Sequence, residues 1–521
     1  MSSQPGAGSA PSRPGSVTPV PLSAVASRLG ISGPPAGSDV PLTGMSLVSR
    51  TVRPGDLYAA LPGARTHGAR FAADARQAGA AAVLTDAEGA EIAAGSGLPM
   101  LVIERPREVV GSTAALVYGQ PARDLLLIGV TGTQGKTTTS QLIKAGLTAA
   151  GRRAAVIGTM GTWVDGVQVK SLLTTPEAPD LHALFAVMRE ADVDVCAIEV
   201  SSHALVMGRV DGVVFDVAVF LNLGRDHLDF HITVEDYFAA KADLFTPKRS
   251  RRALVNVDDE YGARLLATPA VPTRAFSPTG RAADWRAEHI RATVDGSTFV
   301  VQGPEELRVS ASVPLVGAFN VANALCSLAA IGEAGGDVAA AATGIADLRA
   351  VPGRMERIDV GQDFSVVVDY AHKPDAVAAT LTALRAVTAG RLTIVIGAGG
   401  DRDRGKRPMM GQLAAGLADV MVVTDDNPRT EDPAAIRAEL IAGARAAGGL
   451  TVIREVGDRR QAIAEALAAA RPADTVLIAG KGHETGQQVN DQIRPFDDRD
   501  VARAVLAELI ESARPRSGGQ Q

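Results

Sequence analysis

The sequence predicts an α/β protein of three domains, the middle one built around a phosphate-binding loop and the last one on a parallel sheet. Three observations lead there. Length is the first: 521 residues exceed what a single core supports, and about three domains are expected. The second is Leu125-Leu126-Leu127-Ile128-Gly129-Val130-Thr131-Gly132-Thr133-Gln134-Gly135-Lys136-Thr137, which reads as buried strand, glycine loop and helix start. The third is a set of four strand–helix repeats after residue 351, each strand running into a charged or glycine-rich loop.

Composition narrows the class. Hydrophobic residues make up 46% and charged residues 21%, as in ordinary globular α/β proteins. Aromatics are only 4%, so Ala, Val and Leu must fill the cores. A net charge of -6 with both signs mixed gives no basis for a nucleic-acid or membrane-surface partner. Cys196 and Cys326, the two cysteines, both sit in apolar runs, which excludes a disulfide scaffold and fits a reducing cytoplasm. No apolar run reaches the roughly 18 residues of a membrane span, and the N-terminus lacks the basic and apolar regions of a signal peptide. The expectation is a soluble, cytoplasmic, monomeric protein acting on small molecules.

Residues 1–20 are rich in Pro, Ser and Gly and read as a disordered tail, as do 514–521. The first domain, 21–123, is a βα layer. In it a Pro54-Gly55 turn feeds a strand toward Leu61, His67 to Ala78 reads as helix stopped by Gly79, and Ala80–Thr85 and Leu101–Ile103 read as strands. A helix follows around Val109 to Gly119. On their own residues, Ser49-Arg50 and Ala64-Arg65-Thr66 are solvated loop positions.

The second domain, 124–350, opens on the phosphate loop. Gly132 and Gly135 let the backbone turn, and its N–H groups and the N-terminus of the Lys136 helix converge on one spot that suits phosphate. Lys136 adds a point charge on the β and γ phosphates, and the Thr137 hydroxyl is a Mg²⁺ ligand. The strict pattern G-x-x-x-x-G-K-[ST] fails, because its first glycine falls on Val130, so this is a variant loop. Val195–His203 reads as a buried strand ending in polar residues, where Glu199 is placed for a second Mg²⁺ ligand. Phe215–Leu221 is another strand, followed by Asn222-Leu223-Gly224-Arg225-Asp226-His227-Leu228-Asp229, in which His227 is a candidate metal ligand or a plain surface histidine. Thr233 to Asp236 caps a helix that carries Lys241, by itself an ordinary lysine. Short alternating segments between 282 and 313 suggest a small antiparallel β insertion, and Gly317 to Asn323 opens an apolar helix to about Gly332.

The third domain, 351–513, supplies the repeats. Phe364–Val368 ends in Asp369-Tyr370-Ala371-His372; Leu392–Ile396 ends in a loop from Gly397 to Arg404. Val420–Val423 ends in Thr424-Asp425-Asp426-Asn427-Pro428-Arg429; Thr475–Ala479 ends in Gly480-Lys481-Gly482-His483-Glu484. All four loops must lie on the carboxyl edge of one parallel sheet, where open α/β sheets bind ligands.

The order and spacing of the loop Thr131 to Thr139, Thr174-Thr175-Pro176-Glu177, Glu199-Val200-Ser201-Ser202-His203, Asn222 to Asp229, Gly317-x-x-Asn320-x-x-Asn323, Pro352-Gly353-Arg354-Met355-Glu356 and Asp369-Tyr370-Ala371-His372 resemble the Mur ligases. The likeness covers about Leu42 to Ala513. It implies a three-domain architecture with a central phosphate-loop ATPase domain and a C-terminal Rossmann-like domain, and an ATP- and Mg²⁺-dependent enzyme of peptidoglycan synthesis. Gly400-Asp401-Arg402-Asp403-Arg404-Gly405-Lys406-Arg407 and Asp426-Asn427-Pro428-Arg429 are similar to the members that add the third peptide residue, as diaminopimelate and not lysine. The chemistry agrees: diaminopimelate carries a second carboxylate at its far end, and Arg429 offers a planar fork for it. That fork reads the carboxylate and not the configuration beside it, so meso- and LL-diaminopimelate both stay open.

The same resemblance implies the remaining site residues. Arg402, Asp426, Asn427, Pro428, Arg429, Gly480 and Glu484 would hold the incoming amino acid, Glu484 pairing with an ammonium. Leu47, Ser49, Ala64, Arg65 and Thr66 would lie at the uridine end of a UDP-muramoyl dipeptide, and Thr174, Thr175, Ser201, Arg209 and Lys241 along the rest. ATP would meet Gly132, Thr133, Gln134, Gly135, Lys136, Thr137, Thr138, Asn320 and Arg354. Thr137 and Glu199 would bind one Mg²⁺ and His227 a second. Lys241 matches the family's carbamylated lysine, an ammonium turned into a carboxylate-like anion that can bind metal. Lys136, Glu199, His227 and Lys241 would thus be the catalytic set.

Four positions depart from the family pattern: Gln134 where Asn is common, Val48 before Ser49-Arg50 where Asp is usual, Leu173 in place of Asn, and Met207 in place of Gln. Two rival readings stand beside this one. A folate polyglutamate synthetase shares the central domain but not the first domain or Asp426-Asn427-Pro428-Arg429. A phosphate-loop switch or inactive nucleotide-binding protein would not need Lys136, Glu199, His227 and Lys241 together.

Overall fold

The computed structural model describes residues 12–31, 39–169, 173–227 and 230–513. Its contacts divide the chain into two compact units. One runs to Glu288 and takes in Val301–Val309 and Asn323–Ile345; the other comprises His289–Val300, Ser310–Ala322 and the chain from Ala346. Leu228, Asp229 and the segments 1–11 and 514–521 lie outside the described residues.

Beside a two-stranded antiparallel pair, Val20–Pro21 with Pro41–Leu42, the described residues of the first unit hold two larger sheets. The smaller has the order Gly44–Ser46, Asp56–Ala59, Ala82–Thr85, Met100–Val102, all parallel. Gly79, at φ 103, ends the preceding helix as expected; that helix, Ala72–Gln77, is preceded by a 3₁₀ turn over Gly68–Phe71. The larger sheet runs through Ala154–Gly158, Val195–Glu199, Leu126–Thr131, Val217–Phe220, Ala253–Asn256 and Thr273–Ser277, again parallel. The strand after the last, Trp285–Thr293, begins parallel to it, with Trp285 and Arg286 paired to Phe276 and Ser277. Strands buried on both faces read as unbroken apolar runs, and the core they form is mainly Leu, Ile, Val, Ala and Phe, including Leu127, Ile198, Phe215 and Phe220.

The expected tail meets described structure from residue 12 onward. Arg13 bonds the nearly fully buried carboxylate of Asp56 at 2.6 Å and donates to the Met45 carbonyl at 3.1 Å. The backbone N–H groups of Gly15 and Ser16 donate to Glu190. A segment with no periodicity is therefore fastened by one buried ion pair and by two backbone bonds to Glu190, signals that composition does not carry.

The second unit has one main sheet in the order Glu356–Arg357, Ser365–Asp369, Thr475–Ala479, Leu392–Ile396, Val420–Val423, Val452–Glu455. All neighbours are parallel except the first pair. The four predicted strands are here, and they are adjacent. Val452–Glu455 has no counterpart in the sequence reading; it is a largely exposed edge strand with charged residues, so it lacks the apolar run that marks its neighbours. A two-stranded antiparallel hairpin, Gly486–Val489 with Gln492–Pro495, follows the strand at Thr475–Ala479.

Candidate active site

In the first unit the strand order does the assembling. Leu126–Thr131 lies between Val195–Glu199 and Val217–Phe220, and Ala154–Gly158 is one strand further on. Their carboxyl ends deliver the phosphate loop, Glu199, Asn222 and Thr159 side by side, at the edge where the topology reverses.

The loop itself is built by backbone conformation. Gly135 sits at φ 87 as the cap of the Lys136–Ala149 helix, and a Cβ there would stand 2.5 Å from Asn323 Oδ1. Asn222 Oδ1 accepts the N–H groups of Thr133 and Gln134 at 3.1 and 2.9 Å, and its amide donates to the Gln134 carbonyl at 3.2 Å. Lys136 Nζ folds back on the carbonyls of Gly132 and Thr133 at 2.6 and 3.1 Å. Thr138 is buried one turn into the helix.

Glu199 is 1% exposed, and its burial is matched by donors. Thr137 Oγ1 donates to Oε2 at 3.1 Å, and Thr159 supplies its N–H at 2.9 Å to Oε1 and its hydroxyl at 2.9 Å to Oε2. Gly158 makes the room, since a Cβ there would lie 2.1 Å from Glu199 Oε1. A carboxylate and a hydroxyl within 3.1 Å of each other form an all-oxygen donor pair, the kind a hard cation shares with phosphate oxygens and water. Among the described residues no group of three or more His, Cys, Asp or Glu is arranged to hold a metal.

Lys241 is 1% exposed, so the plain reading as a solvated lysine is overturned. Its ammonium donates to the Gly132 carbonyl at 3.1 Å, approaches Thr131 Oγ1 at 3.4 Å and lies 4.6 Å from the centre of the Tyr237 ring. The Tyr237 hydroxyl is held above its ordinary pKa by burial, against a hydrogen bond with Thr133. His227 adopts φ 53 and is the more exposed partner of Asp226, 3.2 Å away. Its ring is 4.8 Å from that of His203 and 6.1 Å from Tyr237.

Nearby, Thr175 Oγ1 donates to the Glu199 carbonyl at 2.7 Å and accepts the Ser201 N–H at 3.2 Å, and Thr174 Oγ1 meets Thr159 Oγ1 at 3.2 Å. Arg209 is paired with Glu177 at 2.8 Å, and Glu177 also pairs with Arg107 at 3.0 Å. In the small sheet, Leu47 and buried Ser49 follow the strand Gly44–Ser46, and the exposed loop Ala64-Arg65-Thr66 follows Asp56–Ala59. Neighbouring parallel strands therefore put both at one edge.

The second unit gathers the other predicted residues. Asn427 Nδ2 donates to Glu484 Oε2 at 2.8 Å, joining the loops that follow two of the strands. Arg429, at φ 52, donates from Nη1 to the Gly400 carbonyl at 2.6 Å, while Thr430 Oγ1 donates to Asp401 at 2.8 Å. Gly480, at φ 114, leaves space for Asp426, whose Oδ2 would be 2.6 Å from an added Cβ. Pro428 is buried behind Gly400, and Arg402 is exposed. Tyr370, hydrogen-bonded to Glu484, has its phenol pushed up to about 12 by burial first and by Glu484 next. The Arg354 guanidinium stacks 4.3 Å from the Tyr370 ring centre, and Asn320, 2% exposed, donates to the Val316 carbonyl at 2.9 Å.

Several residues at these sites had no place in the sequence reading of the site. Thr159 and Asn222 follow parallel strands at the ligand edge, and the rule that located Glu199 reaches them too. Arg407 and Lys481 are fully buried cations; nothing local in a sequence separates a buried arginine or lysine from a solvated one.

Comparison with known proteins adds the following. Three family profiles match in sequence: the Mur ligase family catalytic domain over residues 41–118, the Mur ligase middle domain over 130–331 and the Mur ligase glutamate ligase domain over 353–482. A UDP-N-acetylmuramoyl-L-alanyl-D-glutamate--2,6-diaminopimelate ligase of Streptomyces avermitilis is 55% identical over 502 residues, covering 95% of this chain and 98% of that one. A solved structure of a ligase with that same name superposes with a TM-score of 0.65 at 35% identity, covering 90% of this chain and 96% of the other. A folylpolyglutamate synthase of Mycobacterium tuberculosis shares the fold at a TM-score of 0.57 and 20% identity, covering 78% of this chain and 95% of that one.

Proposed function

The chain belongs to the Mur ligase family, and on that premise we propose how its residues divide the work of an ATP-dependent amide-bond-forming ligase. It joins 2,6-diaminopimelate to UDP-N-acetylmuramoyl-L-alanyl-D-glutamate in peptidoglycan synthesis. The observation that carries this over the folate reading is the joined pair of loops in the second unit. They present Arg429 and Glu484, a guanidinium for a carboxylate and a carboxylate for an ammonium, on elements tied together by Asn427 at 2.8 Å. Diaminopimelate has both groups at its far end; lysine lacks the carboxylate.

In this reading the D-glutamyl side-chain carboxylate takes the γ-phosphoryl group of ATP, and the amine of diaminopimelate attacks the acyl phosphate with loss of phosphate. Such chemistry needs charge neutralisation more than a nucleophilic side chain. Lys136, now resting on loop carbonyls, swings to the β and γ phosphates, and the N–H groups propped by Asn222 cradle them. Thr137 and Glu199 would hold one Mg²⁺ and His227 a second. Bound there, Mg²⁺ supplies Lewis-acid neutralisation of the developing charge. Lys241, buried against Gly132, is the position for carbamylation. Leu47, Ser49 and the loop Ala64–Thr66 take the uridine end, and Thr174, Thr175, Ser201 and Arg209 the muramoyl-dipeptide part. Arg402, Asp426, Asn427, Pro428, Arg429, Gly480 and Glu484 take the amino acid, and Asn320 and Arg354 the nucleotide.

Phosphate release from ATP with the UDP-muramoyl dipeptide tests the reading, with meso-diaminopimelate, LL-diaminopimelate and L-lysine added separately. Release with a diaminopimelate and not with lysine is expected, and the pair of isomers names the configuration. Release only with lysine would overturn the role given to Arg429.

A further inference from the structure

An ammonium group is strongly hydrated, and taking it out of water is costly unless acceptors replace that water. Lys481 is 0% exposed. Its Nζ donates to Asn427 Oδ1 at 3.2 Å, to Glu484 Oε2 at 3.2 Å and to the Gly486 carbonyl at 2.7 Å. Its neighbours allow this path: Gly480 and Gly482 sit at φ 114 and 52, and a Cβ on Gly482 would lie 2.7 Å from Tyr370. The backbone therefore turns the lysine inward, beneath the two loops that hold Asn427 and Glu484.

The consequence is directional. Lys481 has donors and no acceptor, so Asn427 must turn its carbonyl oxygen to the ammonium. That oxygen also accepts the Gln488 N–H at 2.8 Å. The amide NH₂ then points at Glu484 Oε2, 2.8 Å away. One buried cation thus fixes the carboxylate twice, directly and through the orientation of Asn427, and holds it by one oxygen.

We propose that Lys481 is a positioning residue for the far ammonium of the incoming amino acid: it aims Glu484 and keeps it from turning inward. The proposal rests on reading these loops as the diaminopimelate site. The Arg429 guanidinium bonds the Gly400 carbonyl, a side-chain contact that Lys481 does not share, while the Arg429 backbone pairs with the hairpin at Gln488; the two ends of the recognition are thus aimed by different side-chain bonds. Removing the cation impairs selection for the ammonium and leaves selection for the carboxylate.

The test compares kcat/KM for diaminopimelate, 2-aminopimelate (no far ammonium) and L-lysine (no far carboxylate) in the wild type and in Lys481→Met, each with saturating ATP and UDP-muramoyl dipeptide. The wild type alone decides the underlying reading: without diaminopimelate-dependent phosphate release, that reading fails and the proposal falls with it. Given that release, Lys481→Met is expected to lower the diaminopimelate to 2-aminopimelate ratio about 30-fold, the loss of one charge-assisted interaction. The KM for ATP and the preference for diaminopimelate over lysine, which both carry the far ammonium, should not move. An unchanged ratio, whether both activities fall together or neither falls, would overturn the proposal as merely structural. Should Lys481→Met fail to fold, Lys481→Gln, which keeps a donor and drops the charge, is read in the same ratio.

Discussion

The phosphate loop and the amino-acid loops use the same edge of the same kind of sheet and are held in opposite ways. Around Gly132–Thr137 the work falls to backbone: glycines at positive φ, N–H groups propped by Asn222, and a lysine resting on carbonyls it can leave. Around Asp426–Arg429 and Gly480–Glu484 it falls to buried ions. Arg407, fully buried, bonds both oxygens of Glu431 at 2.8 and 3.1 Å, and Glu431 accepts the Asp401 N–H at 2.6 Å. Arg459 and Asp498 are both 0% exposed, and Arg459 also reaches the Ala479 carbonyl at 2.9 Å, where one of these loops begins. The contrast follows from the ligands. Phosphate is symmetric and highly charged, and a nest of N–H groups suffices. An amino acid told apart by one distal carboxylate needs side chains fixed in direction.

That contrast can be broken from either side. The largest effect is expected at the phosphate loop: Lys136→Ala should lower kcat about 10³-fold with little change in the unfolding midpoint, since its half-buried ammonium bonds only two carbonyls of its own loop among the contacts described above. Steady-state phosphate release and denaturant unfolding check both halves. Next, Arg459→Met leaves Asp498 buried without its partner and should cost about 3–5 kcal/mol. Hydrogen exchange should place the loss in the second unit, and an unfolding curve superposable on the wild type would refute the role of buried ions there. Arg429→Lys keeps the charge but not the fork, and the KM for diaminopimelate should rise about 10–100-fold while that for ATP stays fixed.

The smallest effect sharpens the comparison through pH. Burial lowers His182 to about 4 in the first unit, and His372 to about 3 and His483 to about 4 in the second, from 6.5. The unfolded chain binds these protons first, so each histidine's contribution to stability is present above about 6.5 and is lost as pH falls from there toward 4 or 3. Hydrogen exchange between pH 7 and 4 should show protection falling around His182 in the first unit and around His372 and His483 in the second, and flat protection at all three would refute it.

Much of this arrangement was legible before any coordinates. Buried parallel strands have apolar runs and polar ends, so Glu199, the loop after Leu126–Thr131 and the four loops of the second unit could be read directly. The capping box at Thr233 and Asp236 is present as the pattern predicts. What the sequence hid is of two kinds. Lys241, Arg407 and Lys481 are cations whose burial is decided by distant partners, and the hydrophobic pattern assigns them to solvent. The edge strand Val452–Glu455 is the converse, regular backbone without the apolar face that would announce it.

Arg13 has a consequence for handling the protein. Asp56 begins a strand of the first sheet with its carboxylate against Arg13 and the Arg53 N–H, the latter at 2.8 Å. A protease that trims the chain back to Leu22 would leave every strand of that sheet intact and yet withdraw the counter-charge from inside it. The trimmed enzyme should unfold at lower denaturant than the full chain, so a stretch that composition marks as a tail completes the charge balance of the first sheet.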